Sequence, residues 1–346
     1  MSTPFKYYHD ELYETAEAFV AFFLQNSWFK TGNKFQANST GRGGMIFRGQ
    51  TNAAWKLLPS AFRTDALRNF TPQPPAHTPA EAANLRRYLG THLHAEGRAV
   101  FIFLEAADRM GLPSPIDYTT TRDGIELLQA LFKDDANFNY SRPFPEKSFE
   151  RATALAQHHG VPTRFLDWSE SPLVAAYFAA VGVSSVGKQT PDADQDIAVY
   201  FMSAAQLKED SPIEIISAPR HENSFLRQQH GVFTNQRHAN QYLLDNKAWP
   251  TLEDSAGSEV TVNRARLPAR LANNLLRELY DLGVHQQTLM PSMDNAAKIY
   301  SYANALFSEM DAASVVLGPA MMEHLQATIP STNDSADQPA APLPPA

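Results

Sequence analysis

Residues 154–180, ALAQHHGVPTRFLDWSESPLVAAYFAA, place a dense group of polar side chains between two apolar segments. The apolar residues at the start fit a helix that ends at Gly160, because glycine readily adopts the left-handed conformation that closes helices. The Val161–Pro162 pair is predicted to be extended, since a residue before proline avoids the helical region. We therefore predict a helix whose last turn carries His158 and His159, followed by a bend.

A strand and a second helix are predicted after the bend. In TRFLDWS, residues 163–169, side chains alternate between two faces, so Asp167 and Ser169 share one face and Arg164 lies on the other. The pair Ser171–Pro172 then provides an N-cap and a first helical residue. Free N–H groups at such a helix start favour an anion such as pyrophosphate.

The polar side chains of this segment have both a structural and a functional interpretation. Burial of Arg164 or Asp167 beside Trp168 requires a partner or a ligand, because an unpaired buried charge is unstable. A structural ion pair and a binding site both meet that requirement. A histidine at a helix end likewise serves as a cap, a core group or a functional group.

Helical patterns occupy two places in the N-terminal third of the chain. Residues 9–25 have the spacing of an amphipathic helix with a stripe facing the core. Thr78, Pro79 and Glu81 have the order of an N-cap, a first helical residue and a capping-box partner, and the apolar pattern continues towards Leu104. We predict a long helix over this second region.

Three strands are predicted outside the opening segment. The strand-like residues 45–47 lead into Arg48 at the strand end, and Gly49 permits a turn or a close backbone approach. QDIAVYFM at 195–202 reads as a further strand, and HGVFT at 230–234 as a short strand or turn.

The remaining pattern mixes helices and connectors. We predict helices at 122–133, from about Ser148, and at 266–284, where Gly283 lies at a C-cap position. The two prolines of 139–147 indicate an extended connector. Because helices and strands do not alternate regularly, the sequence predicts an α+β fold with a mixed, mostly antiparallel β core and flanking helices.

The sequence predicts one domain over residues 1–328, with a peripheral helical insertion at about 78–135. The segment 182–196 is expected to be a flexible loop. Residues 329–346 are rich in proline and lack aromatic residues, so we predict a disordered tail there.

Composition excludes several classes of function. The chain has 346 residues, 43% of them apolar, a net charge of -8 and no cysteine. The acidic balance argues against a surface that coats duplex phosphates, and disulfides and thiolate chemistry are excluded. The N-terminal residues lack the features of a signal peptide, and no apolar run is long enough to span a bilayer. We predict a cytoplasmic protein without membrane contact.

No common catalytic or metal-binding motif is present. His92 and His94 are two residues apart on a predicted helix and point in different directions, and no HExxH spacing exists. We therefore expect no bound metal, which also disfavours a metal-dependent nuclease. Phosphate-loop, dinucleotide-binding and GxSxG motifs are missing, although a serine hydrolase built on Ser169 stays open.

Four separated blocks carry a family resemblance. Residues 47–63, 155–179, 228–234 and 279–299 resemble the FRG domain, which is named for a Phe-Arg-Gly motif, and the resemblance covers about 10–305. Members of this family are mostly uncharacterised bacterial and phage-encoded proteins, often encoded near defence or toxin genes. The resemblance implies a toxin or phage-defence component with an antitoxin or defence-system partner.

The layout is also similar to that of mono-ADP-ribosyltransferases, which have an early strand arginine, a later strand ending in serine or threonine, and a glutamate-bearing segment. This similarity implies NAD as substrate, with Arg48 on its pyrophosphate and Ser169 at the loop or the nicotinamide ribose. Gln229 stands where the catalytic glutamate is expected. This similarity and the residue pattern together assign catalytic roles to Arg48, Gln229 and His159, and cofactor contacts to Arg48, Gly49, His158, Arg164, Asp167, Ser169 and Tyr177. Either Tyr177 or Phe178 is expected to stack on the nicotinamide ring.

The predicted function is an NAD-dependent mono-ADP-ribosyltransferase-like effector that modifies a nucleic acid or a protein. The alternatives are a non-catalytic module that binds a nucleotide or a nucleic acid, and a purely structural salt-bridge network. The site hypothesis has a geometric requirement: Arg48, His158 or His159, Ser169 and Gln229 must converge on one cleft.

Overall fold

The computed structural model of the protein describes residues 6–26, 44–112, 144–187, 192, 194–217, 220, 223–307 and 315–328. The chain divides into two compact units, residues 1–291 and 292–346. The predicted helix at 122–133 and the predicted tail at 329–346 lie outside the described residues. The single domain predicted over 1–328 stays a prediction.

The first unit contains a seven-stranded sheet. Its described strands are β1 (Asp10–Leu12), β2 (Met45–Gln50), β3 (Leu166–Ser169), β4 (Asp196–Ser203), β5 (Ile213–Ile216), β6 (Gly231–Gln236) and β7 (Asn263–Pro268). They are arranged in the order β1-β7-β4-β2-β3-β6-β5. β1 is parallel to β7, and the other neighbouring strands are antiparallel. The predicted α+β fold with a mixed, mostly antiparallel sheet is confirmed.

The described helices surround the sheet or follow it in the chain. Those of the first unit are α1 (Ala16–Gln25), α2 (Leu85–Arg109), α3 (Glu150–His158), α4 (Pro172–Val181), α5 (Ser224–Gln228), α6 (Ala239–Asn246), α7 (Leu252–Ala256), α8 (Ala272–Asp281) and α9 (Gln286–Leu289). Those of the second unit are α10 (Met293–Ala296), α11 (Ile299–Leu306) and α12 (Pro319–Thr328). Within the described part of the chain, no helix combines the length and the apolar character needed to cross a membrane.

Apolar side chains cover both faces of the sheet. α1, α4 and α8 pack together on one face, where Phe23 of α1 contacts the rings of Phe47 and Phe201 with centroids 6.1 and 6.2 Å apart. Neighbouring strand residues point to the other face, where Ile46 and Tyr200 belong to a second buried cluster. The sheet is therefore the centre of the core.

β2 and β3 are joined by only one residue pair, Phe47 with Ser169. By contrast, β2 pairs with β4 along its whole length, from Met45 to Gln50. The sheet is thus weakly connected at this point, between a four-stranded part (β1-β7-β4-β2) and a three-stranded part (β3-β6-β5). Beyond this pair, no further residue pairing joins the facing edges of β2 and β3.

The structure corrects the predicted starts of two helices. α1 begins at Ala16, where Thr15 accepts a hydrogen bond from the N–H of Ala18, because β1 occupies part of the predicted 9–25 helix. Pro79–Glu81 forms only a short 3-10 turn, and Thr78 makes no side-chain cap bond, so the predicted start there is wrong. α2 begins instead at Leu85, and the predicted long helix itself is confirmed.

The sequence pattern missed three strands for identifiable reasons. β1 has three exposed residues, and the four-residue β5 lies at the opposite edge of the sheet, so neither provides a long alternating pattern. β7 overlaps the segment 266–284 that was predicted to be helical, and α8 begins only at Ala272. Gly283 has a φ of 75°, which confirms the predicted helix end.

Gly49 brings β2 into direct contact with α4. A Cβ added at Gly49 would lie 1.9 Å from the carbonyl oxygen of Ala175 and 2.6 Å from the nitrogen of Ala179. Both are backbone atoms of α4, which cannot move away as a side chain can. Glycine is required here for close backbone approach, one of the two roles predicted for it, and not for a turn.

A buried ion pair joins α2 to the segment before β3. Arg164 Nε lies 3.1 and 3.2 Å from the two carboxylate oxygens of Glu96, and Arg164 Nη2 donates to Glu96 Oε2 at 3.0 Å. Glu96 also accepts the backbone N–H of Arg164 at 2.8 Å. The relative exposures are only 2% for Arg164 and 1% for Glu96. Arg164 Nη1 donates to Asn240 of α6 at 3.1 Å, so three chain segments meet at this guanidinium.

Replacing Glu96 by glutamine is expected to lower the free energy of unfolding by about 3–5 kcal/mol, because it leaves the buried Arg164 charge uncompensated. Glu105→Gln on the same helix is the control, since Glu105 pairs with Arg109, whose side chain is 76% exposed. That change is expected to cost less than about 1 kcal/mol. Urea unfolding measures both free energies. Equal losses in the two variants would show that the buried ion pair contributes no more to stability than the exposed one.

Gly49→Ala is expected to destabilise the protein by about 1–3 kcal/mol, since the added methyl group overlaps the α4 backbone. Gly90→Ala is the matched control: Gly90 lies within α2, and an added Cβ there meets nothing within 4 Å. Alanine is expected to stabilise that helix by up to about 1 kcal/mol. Thermal unfolding of the two variants should therefore shift in opposite directions, and a gain at both positions would contradict the close approach.

Candidate functional site

A cleft of about 390 Å³ lies where β2 and β3 meet. Its walls come from β2, β3, β6, the end of α3, one side of α4 and the end of α5. Six of the predicted site residues line it, which meets the geometric requirement set by the site hypothesis. They are Arg48, Gly49, His158, Asp167, Ser169 and Gln229.

Three predicted site residues do not line the cleft. His159 is exposed at the end of α3, where its ring stacks on Phe103 with centroids 5.7 Å apart. Arg164 is enclosed in its ion pair with Glu96, so the structural interpretation of this residue holds. Tyr177 is 1% exposed on α4, and its neighbour Phe178 faces the cleft in its place, because successive helical residues point in different directions.

Asp167 is the carboxylate of the cleft. Its Oδ2 accepts a hydrogen bond of 2.7 Å from Gln157 Nε2 and lies 3.7 Å from Arg48 Nη1. About 49% of its side chain is exposed, and the residue lines the cleft. The surrounding protein raises the pKa of Asp167, and the nearby positive charge of Arg48 opposes that rise.

A chain of hydrogen bonds orients Gln157 towards Asp167. The Thr163 hydroxyl donates to Gln157 Oε1 at 2.7 Å, and Thr163 in turn accepts the backbone N–H of Phe165 at 3.1 Å. Ser60 Oγ also lies 3.4 Å from Gln157 Oε1. With its oxygen engaged, the amide of Gln157 must direct its N–H towards the carboxylate. The sequence pattern did not indicate Gln157, and only its position beside His158 could have suggested it.

Arg48 is tied to the same carboxylate residue. Its Nη1 donates to the main-chain oxygen of Asp167 at 2.8 Å, and its side chain is only 15% exposed. Burial lowers the pKa of Arg48, although a guanidinium stays charged at physiological pH. An anion placed at Arg48 would also face the carboxylate of Asp167. In this geometry Arg48 is better placed to support Asp167 than to bind pyrophosphate, the role predicted for it.

Ser169 and Gln229 hold the wall of the cleft together. The Ser169 hydroxyl donates to the main-chain oxygen of Gln229 at 2.7 Å and accepts the N–H of Ser171 at 3.0 Å. Gln229 Nε2 donates to the main-chain oxygen of Leu289 at 3.3 Å. Ser169 therefore serves to hold the loop, one of its two predicted roles. The predicted catalytic role of Gln229 stays a prediction.

His158 adds a neutral imidazole to the cleft. Burial and the neighbouring ring of His159 lower the pKa of His158 to about 4. The ring is therefore uncharged at neutral pH and can accept a proton or a hydrogen bond. Apolar side chains, among them Val161 and Phe178, complete the lining.

The arrangement suits an uncharged group that carries hydrogen-bond donors. The Asp167 carboxylate accepts hydroxyl or amide hydrogens, His158 offers a neutral nitrogen, and the apolar wall packs against a ring. A carboxylate in an enclosed site also stabilises a positive charge that develops beside it. Among the described residues, no group of three histidine, aspartate or glutamate side chains could hold a metal ion.

Replacing Gln157 by methionine is expected to raise the pKa of Asp167 further, because the ionised carboxylate loses a hydrogen-bond donor. Carboxyl-13C aspartate NMR during a pH titration measures this change, with Asp167→Asn to assign the signal. Gln241→Met, on an exposed face of α6, is the control and should leave the signal unchanged. A pKa that does not move in the Gln157 variant would show that this amide does not support the carboxylate.

Comparison with known proteins gives one match. No curated protein and no solved structure is similar enough to be matched. The family model for the FRG domain matches residues 122–186, a shorter span than the 10–305 read from the sequence blocks. The match includes α3, β3 and α4, which form one wall of the cleft, whereas Phe47, Arg48 and Gly49 of the opposite wall lie outside it. Residues 122–186 of the chain are therefore similar to part of the FRG domain.

Proposed function

We propose that the cleft binds NAD and that the protein transfers ADP-ribose to a macromolecule. The convergence of Arg48, Asp167, His158 and Ser169 on one cleft, at the weak junction of the sheet, is the observation that carries this proposal. The layout similarity to mono-ADP-ribosyltransferases supplies the choice of NAD. Asp167 takes the place of the carboxylate that Gln229 does not provide.

The chemistry places different demands on these residues. The bond between C1′ of the ribose and the nicotinamide nitrogen breaks, and its electron pair leaves with nicotinamide. Positive charge develops on the ribose, and the ionised Asp167 stabilises it. The acceptor then forms a new bond to C1′ and loses its proton to water, while neutral His158 orients the acceptor by accepting its hydrogen bond. Because burial raises the pKa of Asp167, activity is expected to fall as acid protonates it.

The proposed acceptor is a nucleic acid or a protein. The net charge of -8 favours local recognition of the acceptor over general binding to phosphates. An activity of this kind suits a toxin-like effector or a phage-defence component, which would act with an antitoxin or a defence-system partner. This toxin or defence role follows from the FRG resemblance and is part of the proposal.

A second candidate function is binding of a nucleotide or a nucleic acid without turnover. The polar groups of the cleft already bond to one another: Arg48 and Gln157 to Asp167, and Ser169 to the loop at Gln229. Such mutual pairing favours a preformed recognition site. The transfer assay and the calorimetric titration below distinguish NAD binding without turnover from ADP-ribose transfer.

Asp167→Asn is expected to reduce ADP-ribose transfer about 100-fold, since the amide keeps the shape but loses the charge. The assay incubates the protein with labelled NAD and cellular RNA, DNA and protein, and follows released nicotinamide and transferred label. Asp196→Asn is the control, because Asp196 pairs with Arg266 on β7 and does not line the cleft.

The outcomes of this assay separate the functions. Full activity in the Asp167 variant would remove Asp167 from the mechanism. Calorimetric binding of NAD by the wild-type protein without release of nicotinamide would favour the non-catalytic module. If the wild-type protein neither binds NAD nor moves label, the transferase proposal is wrong.

A further inference from the structure

We propose that Arg63, and not Arg48, binds the phosphate-bearing part of the ligand that occupies the cleft. The ligand class is a molecule with a diphosphate next to an uncharged, hydroxyl-bearing group. The inference rests on the proposed function only for the choice of nucleotide, since recognition of a diphosphate can be tested separately.

Arg63 lines one cavity and belongs to a short segment that also contributes to the cleft. The short 3-10 helix Ser60–Phe62 ends at Arg63, and Ser60 at its start lines the cleft. Residues 61–63 line a second cavity of about 330 Å³. Arg63 is therefore three residues from the cleft-lining Ser60, on a segment that contributes to both cavities.

The charge of Arg63 is available to a ligand. Arg63 is exposed, and its Nη2 donates to the main-chain oxygen of Leu58 at 3.3 Å. A guanidinium has five N–H donors, so this bond leaves others free. Among the described residues, no carboxylate forms an ion pair with Arg63. The Arg63 guanidinium is anchored and has no ion-pair partner among the described residues, so it is suited to a bidentate hydrogen-bonded contact with a phosphate.

The field of Arg63 reaches the cleft. Its positive charge contributes to lowering the pKa of both Asp167 and Arg48, against the larger effect of burial at Asp167. The guanidinium is therefore close enough to act on a ligand whose uncharged part sits at Asp167. A phosphate at Arg63 would also avoid the carboxylate that lies 3.7 Å from Arg48.

The other arginines that line these cavities, Arg48 and Arg68, each lie near a carboxylate. Arg68 lines the second cavity, but its Nη2 lies 3.0 Å from Asp65 Oδ1. Arg164 is enclosed with Glu96. Arg63 thus differs from its neighbours in combining exposure, position beside the cleft and the absence of an ion-pair partner in the described part of the chain.

Arg63→Gln tests the inference, with inorganic diphosphate, NAD and nicotinamide riboside as probes in calorimetric titrations. The variant is expected to weaken diphosphate and NAD binding about tenfold or more, because a charge-assisted contact is lost. Binding of nicotinamide riboside, which has no phosphate, should be unchanged. Arg68→Gln on the same segment is the matched control and should weaken each ligand less than Arg63→Gln.

Each result has a defined meaning. No diphosphate binding by the wild-type protein, or equal binding by the wild-type and Arg63 variants, would overturn the inference. Equal losses in the Arg63 and Arg68 variants would also overturn it, since general positive charge would then explain the binding. Diphosphate binding that depends on Arg63, with no release of nicotinamide from NAD, would support the inference and reject the proposed transferase function.

Discussion

The buried contact between Glu96 and Arg164 is the interaction on which the rest of the structure depends. Both side chains are almost inaccessible to water, so each charge is stable only because the other is present. Glu96 also holds the backbone of Arg164, the residue that follows the bend at the end of α3. α2, the bend and α6 are thereby held in one arrangement, and β3 begins two residues later. Because these contacts fix the segment before β3, the wall of the cleft that β3 forms has a defined position.

The opposite wall depends on close packing of backbone. Gly49 lets β2 lie directly against α4, and α4 begins at the end of β3, so β2 and β3 are held near each other although they share only one residue pair. The gap between them is the cleft. Its interior is organised around Asp167, which Gln157 and Arg48 support from two sides. Three effects therefore combine at one carboxylate: enclosure, hydrogen bonding and an adjacent cation.

This electrostatic arrangement limits the kinds of ligand that the cleft can hold. A carboxylate and a neutral histidine favour a group that donates hydrogen bonds, and they disfavour a phosphate at the same place. By our inference, the phosphates of the ligand bind outside the cleft, at Arg63. A ligand with a ring and a hydroxyl-bearing sugar at one end and phosphates at the other matches both features, which is the physical reason for choosing a nucleotide among small molecules.

Local sequence patterns are enough to predict the order of helix, bend, strand and capped helix around residues 154–180, because glycine, proline and serine restrict the backbone locally. They also predict the α+β class and the need for a partner at Arg164 and Asp167. The folded structure is needed to see that Arg164 pairs with Glu96 whereas Asp167 faces a cleft. Their different partners, and the roles of Gln157 and Gly49, depend on contacts between residues far apart in the chain, which local patterns do not encode.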